Sequence, residues 1–319
     1  MSRMIDTAAT AAMLANAEDI VILTHQYPDG DTIGSAYALY HALRAAGKRV
    51  RVECCDEIPE KYDYLLTEVT HDDFEPQFVV AVDVADDKLL GSLRDVYGGR
   101  IDLCIDHHGS NTEYADFLLL KATYAAAAMV VCEVLYEMHA DMTSAIAECI
   151  YTGISTDTGC FKYSNADAYT HRLAADMMDI GIRYDMINRT MFDVKSRARV
   201  ELERLALSGM RFYRDGRIAV MPITCDMIAK SGAAENDMEG LAPMPRQIEG
   251  VWVGVTMREK ANGEFKISVR TGNHADASAI CKRLDGGGHI RAAGCSLMMP
   301  LDDAINKMVE TIVETVERI

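Results

Sequence analysis

Four short apolar runs punctuate the first hundred residues: DIVILT ending at Thr24, RVRVECC from Arg49, FVVAVDV from Phe78 and IDLCIDH from Ile101. Apolar runs without clean alternation fit strands buried on both faces. Between the first two runs, Ala36, Leu39, Tyr40 and Leu43 recur at helical spacing, and Gly47 follows as a stop signal. Strand, helix, strand predicts an α/β domain, a mostly parallel sheet flanked by helices. Helical spacing then dominates from about residue 125 to 185.

The charged stretch VKSRARVELERLALSGM, residues 194–210, places Leu202, Leu205 and Ala206 at helical spacing and predicts a helical connector. New strand patterns follow: RIAVMPI from Arg217, GVWVGVTMRE from Gly250 and EFKISVRT from Glu264, with ANG at 261–263 as a hairpin turn. A terminal helix carries Ile305, Met308, Val309, Ile312 and Val316 on one face. The expected organisation is a first domain over 1–190, a connector over 191–212 and a smaller α/β domain over 213–319.

With 319 residues and 49% hydrophobic content, the chain is long enough for two domains with cores of their own. Its Ala-rich segment near residue 125 is bounded by Lys121 and Glu133, and the N-terminus lacks a signal-peptide core; a cytoplasmic protein without a membrane partner is expected. Nine cysteines without a CxxC pair suggest buried thiols, neither a disulfide framework nor a cysteine zinc site. The net charge of −17 argues against binding long duplex nucleic acid, which requires clustered Lys and Arg. It leaves room for a short phosphorylated substrate, because acids gathered around divalent cations present no negative face to a phosphate.

The candidate chemistry sits where the apolar runs end. HQYPDGDTIGS places His25, Asp29 and Asp31 after the first; Asp83 closes the third; Asp106, His107 and His108 follow the fourth; and Asp157 lies in YTGISTDTGCF. A single acid in such a place is ordinarily a cap or turn residue. Several together are different, because ligands of open α/β sheets bind beyond the carboxyl ends of the strands. His25, Asp29, Asp31, Asp83, His107 and Asp157 supply two imidazoles and four carboxylates, a set whose mutual repulsion calls for cations. Oxygen donors mixed with imidazole suit Mn²⁺, with Mg²⁺, Co²⁺ or Fe²⁺ as other occupants. Two such ions, about 3.5–4 Å apart and sharing a carboxylate, activate water against a phosphate.

HQYPDGDTIGS, the lone Asp83 after its apolar run, IDHHGSN at 105–111 and STDTGCFKYSN at 155–165 resemble the four motifs of the DHH phosphoesterase family. GGGHIRAAG at 286–294 resembles the signature of that family's associated substrate-binding domain, so the likeness covers nearly the whole chain. Size and arrangement are similar to the bacterial nanoRNase and 3′-phosphoadenosine 5′-phosphate phosphatase subgroup. The resemblance implies hydrolysis of short oligoribonucleotides to 5′-mononucleotides and of pAp to AMP and phosphate. It implies that His25 and Asp29 hold one metal, that Asp31, His107 and Asp157 hold the other, and that Asp83 bridges both. His108 is left beside the scissile phosphate as donor or general acid, and Asp106 orients an imidazole. A homodimer is compatible with this reading, and the substrate is expected in a cleft between the domains.

In the second domain, Gly286, Gly287 and Gly288 let backbone N–H groups approach an anion, and His289 can donate from its ring. Ser268 and Arg270 share one face of a strand, and the resemblance implies substrate contact for both. Two positions depart from the family pattern: Asp285 stands where a fourth glycine is common, and Thr271 where a serine is. Other readings are a cyclic or linear dinucleotide (c-di-AMP or pApA) phosphodiesterase, a manganese inorganic pyrophosphatase, which would resemble only the first half, and an inactive nucleotide-binding regulator.

Overall fold

Ile20, Ile22, Val80, Val82, Leu103 and Ile105 pack into one apolar cluster, while Val21, Leu23, Val79, Ala81 and Cys104 pack into another. Successive strand residues point to opposite faces, so the lack of alternation in the sequence reports a sheet covered on both sides. A computed structural model describes residues 2–70, 72–238 and 240–316, and divides the chain into two units, Met1–Val194 and Lys195–Ile319.

The strands of the first unit are β1 (Arg3–Met4), β2 (Ile20–Leu23), β3 (Val50–Glu53), β4 (Phe78–Val82), β5 (Leu103–Asp106) and β6 (Phe117–Leu120). All pair in parallel, in the order β1-β6-β5-β4-β2-β3. Four match the expected runs; β1 and β6 were not anticipated. The helices are α1 (Thr7–Asn16), α2 (Gly30–Ala45), α3 (Leu93–Tyr97), α4 (Ala127–Glu137), α5 (Ser144–Asp157), α6 (Ala168–Asp179) and α7 (Tyr184–Asn188). Two glycines bring α2 and α5 into backbone contact. A Cβ on Gly34 would lie 2.4 Å from the Cys149 carbonyl oxygen, and one on Gly153 would lie 2.7 Å from Asp31 Oδ1.

The second unit opens with α8 (Arg197–Ser208), then β7 (Arg211–Tyr213), β8 (Ile218–Ile223), α9 (Cys225–Ser231), β9 (Val253–Glu259), β10 (Glu264–Thr271), α10 (Ala277–Lys282), β11 (Gly287–Gly288), β12 (Ala292–Met298) and α11 (Leu301–Thr315). Its sheet runs β11-β12-β10-β9-β8-β7 and is antiparallel except between β8 and β9. The stretch 191–212, expected as a connector, spans the division. Leu202 and Ala206 bury against Met221, Ile223 and Leu241, and this contact ties α8 to the second unit. Along β10, Phe265, Ile267 and Val269 enter the core under α10 and α11, so Lys266, Ser268 and Arg270 face the other way. The nine cysteines are free and five are buried. Among the described residues no helix is long and apolar enough to cross a membrane.

Candidate metal centre

Because β2, β4 and β5 are parallel neighbours, the residues that follow them emerge at one edge of the sheet. Three donor sets form there, each with its ligand atoms within 4.8 Å of one another: His25, Asp29 and Asp83; Asp31, His107 and Asp157; and Asp83, His107 and His108. Asp83 belongs to two sets, and its backbone takes the left-handed conformation, φ 61°, directly after β4.

Local folding fixes each donor. Asp29 caps α2, its Oδ1 accepting from the amides of Asp31 and Thr32 at 3.0 and 3.1 Å. Asp31, buried in the first turn, accepts from the amides of Ala127 and Ala128 at 2.5 and 2.9 Å and from Ser35 Oγ at 3.2 Å. The N-terminus of α4 thus holds the carboxylate with its free N–H groups. Asp157 ends α5. His25 Nδ1 donates to the Gln26 carbonyl at 2.7 Å, and His107 Nδ1 to the Tyr124 carbonyl at 3.1 Å. Both rings therefore present Nε2 to the acids.

His25 Nε2 stands 3.7 Å from both Asp29 and Asp83, and His107 Nε2 stands 3.5 Å from Asp83 and Asp157 and 3.7 Å from Asp31. These gaps are too long for hydrogen bonds but suit donors that share an ion at about 2.0–2.2 Å. Asp83 Oδ1 and His107 Nε2 are buried without a hydrogen-bond partner. Among the described residues no Lys or Arg pairs with Asp29, Asp31, Asp83 or Asp157. Burial, aided by neighbouring acids, raises the Asp31 and Asp83 carboxyls and pushes Asp157 up to about 8. Burial disfavours charge on His25, but Asp29 and Asp83 outweigh it and lift its imidazole to about 11. The donor set, the crowded charge and the orphaned atoms all fit divalent cations.

His108 is turned differently. Its Nδ1 lies 2.8 Å from Asp106 Oδ1, and Asp106, fully buried, also accepts from the amides of His107 and His108 and from Asn111 Nδ2. The Asp106 hydrogen bond raises the imidazole above its ordinary value and leaves Nε2 turned away from that acid. Asn111 was quoted in the motif without a role; its place three residues beyond the second histidine was the available signal.

In the second unit Ser268 and Arg270 line a pocket of about 610 Å³ with Lys266, Asp285, Gly287 and Gly288. A Cβ on Gly286 would lie 2.2 Å from the Gly294 carbonyl oxygen and one on Gly288 2.6 Å from Ala293 Cα, whereas Gly287 faces open space. Two of the three glycines are thus explained by β11 packing on β12. His289 is exposed, its amide donating to the Ala292 carbonyl at 2.8 Å. Thr271 donates Oγ1 to the Ile290 carbonyl at 3.0 Å, a structural bond that a serine hydroxyl also makes. Asp285 takes φ 55°, a conformation glycine adopts most readily.

A model of the DHH family, N-terminal domain, matches residues 19–154, and a model of the DHHA1 domain matches residues 215–318. The chain is 31% identical over 315 residues to the bifunctional oligoribonuclease and PAP phosphatase NrnA of Thermus thermophilus, covering 94% of this chain and 90% of that protein. The protein of that name from Bacillus subtilis is 24% identical, covering 88% and 90%. In fold the chain is similar to an exopolyphosphatase-related protein from Bacteroides fragilis, with a TM-score of 0.86 at 24% identity over 97% and 96% of the two chains.

Proposed function

The chain belongs to the DHH family, and from that membership we propose that it is a metal-dependent phosphoesterase, releasing 5′-mononucleotides from short oligoribonucleotides and converting pAp to AMP and phosphate. The observation that carries this reading is the chain of three donor sets linked through Asp83 and His107, whose Oδ1 and Nε2 are buried without a hydrogen-bond partner. Its substrates follow the names of the relatives, which match this chain along both halves.

His25, Asp29 and Asp83 would hold one ion, and Asp31, Asp83, His107 and Asp157 the other; Mn²⁺ suits this mixture of carboxylate and imidazole best. When bound, two divalent ions supply Lewis-acid charge and an acidified water at the phosphorus. The chain's own residues do the rest. Asp106 holds the His108 ring so that Nε2 can donate to the leaving oxygen. In the second unit Arg270, Ser268 and the amide of Gly287 bind the nucleotide's remaining phosphate, with His289 donating from the rim. The DHHA1 match over 215–318 favours this reading over an inorganic pyrophosphatase.

The test is one panel of pAp, pApA, longer oligoribonucleotides, cyclic dinucleotides and pyrophosphate, each with Mn²⁺. Turnover of pAp and pApA above the other substrates is expected. Turnover of pyrophosphate alone, or of none, would overturn the proposal.

A further inference from the structure

A short turn, Met244–Gln247, crosses β9 at Gly254, where an added Cβ would fall 2.6 Å from the Arg246 backbone nitrogen. A Cβ on Gly272 would fall 2.5 Å from Arg246 Nη2. The two glycines open a slot along which the Arg246 side chain runs from β9 to the end of β10. Gly254 is the direct cross-strand partner of Arg270, so the slot and the Arg270 side chain lie on the same face of the sheet. Ser268 is on that face as well, beside the pocket it lines with Arg270.

The charges there are unmatched. Four residues along β9 from Gly254, Arg258 is paired with Glu235. Among the described residues Arg270 donates only to the neighbouring Val269 carbonyl, at 3.1 Å, and Arg246 Nε is buried without a hydrogen-bond partner. Among the described residues neither Arg246 nor Arg270 forms an ion pair, in a chain whose net charge is −17. Asp285 lines the Arg270 pocket without pairing to it; two guanidinium groups without an ion-pair partner suit an anion of two charges, and a terminal phosphate monoester carries about −1.5 to −2 at neutral pH, whereas a phosphodiester carries one.

We propose that Arg246 and Arg270 form a clamp for the terminal phosphate monoester of the nucleotide, making Arg246 a specificity residue for phosphorylated over unphosphorylated ends. This rests on the nucleotide-substrate reading above. The clamp predicts that the full chain with Mn²⁺ has a lower KM for pApA than for ApA, and that with chelator present it binds AMP more tightly than adenosine. Arg246→Gln should raise KM for pApA about ten- to a hundred-fold and leave ApA nearly unchanged, and should weaken AMP binding by a similar factor. Gly272→Ala should act the same way by displacing the guanidinium while keeping its charge, so the prediction does not hang on one substitution in a packed slot. Both variants should melt like the parent chain. If either variant melts normally and keeps the parent's preference for pApA over ApA and for AMP over adenosine, the clamp is overturned; a parent chain without those preferences overturns it too. A chain that hydrolyses neither dinucleotide defeats the phosphoesterase reading, while the AMP and adenosine titrations still decide the clamp.

Discussion

Asp106 Oδ1 and His108 Nδ1 stand 2.8 Å apart, the shortest contact the His108 ring makes, and it leaves Nε2 as the nitrogen turned away from the acid. His108→Ala should therefore lower kcat by about 10² to 10⁴ with a modest change in KM, because a group beside the leaving oxygen acts in the transition state. Asp106→Asn, which removes the charge but retains hydrogen-bonding capacity, should fall between the parent and His108→Ala. Steady-state kinetics with metal analysis check this, and a fall in bound metal for His108→Ala would move the residue into the ligand set.

Chelation should abolish turnover, and Mn²⁺ should restore it. His107→Ala removes a donor whose Nε2 faces three acids at 3.5–3.7 Å, and should cost orders of magnitude in activity and bind less metal, with the thermal transition still cooperative. Unchanged turnover at saturating substrate would remove His107 from the centre.

Gly153→Ala places a methyl group 2.7 Å from Asp31 Oδ1 and 2.5 Å from Ala128 Cβ. The expected cost is about 1–3 kcal/mol of stability, together with weaker metal binding. Denaturant titration of the metal-free chain separates the first effect from the second, which calorimetry with Mn²⁺ reads.

Glu148 accepts from the Arg183 amide, Nε and Nη2, at 3.2, 2.8 and 2.7 Å. Burial opposes its charge, but Arg183 outweighs burial and holds the carboxyl below its ordinary 4.5. A carboxyl lowered in the folded state stabilises above its unfolded value and loses that contribution as pH falls through the folded one. Glu148→Gln should thus lose about 1 kcal/mol at pH 7, discounted for the exposed guanidinium, and the difference should vanish toward pH 3. Melting curves at the two pH values decide it.

Arg270→Ala should raise KM for pAp and pApA about ten- to a hundred-fold, leaving kcat and bound metal largely intact. Unaltered KM for every nucleotide would remove the second unit from substrate binding.

The sequence displayed most of the centre because its side-chain donors follow apolar runs, and parallel strands bring such positions to one edge. It did not display what holds them. The amides of Ala127 and Ala128 that bind Asp31 belong to an Ala-rich segment that reads as plain helix, and a backbone N–H leaves no mark in residue type. Arg246 was hidden for a related reason: its position depends on the absence of side chains at Gly254 and Gly272, and neither glycine lies in a recognisable motif. The start of β12 was concealed in GGGHIRAAG, where small residues that fit close sheet packing look like those that let backbone N–H groups approach an anion.

The backbone contact between α2 and α5 at Gly34 and Gly153 has an evolutionary consequence. Asp31 and Asp157 ride on helices that touch without intervening side chains, so almost any substitution along the seam moves a ligand as well as the core. Drift in this half is therefore punished twice, in folding and in catalysis, and little variation there is selectively neutral. Turns such as those bearing Arg246 and Asp285 carry no such double constraint, because one residue there can change without repacking a helix. On this plan a change in the helices is costly where a change in the turns is cheap.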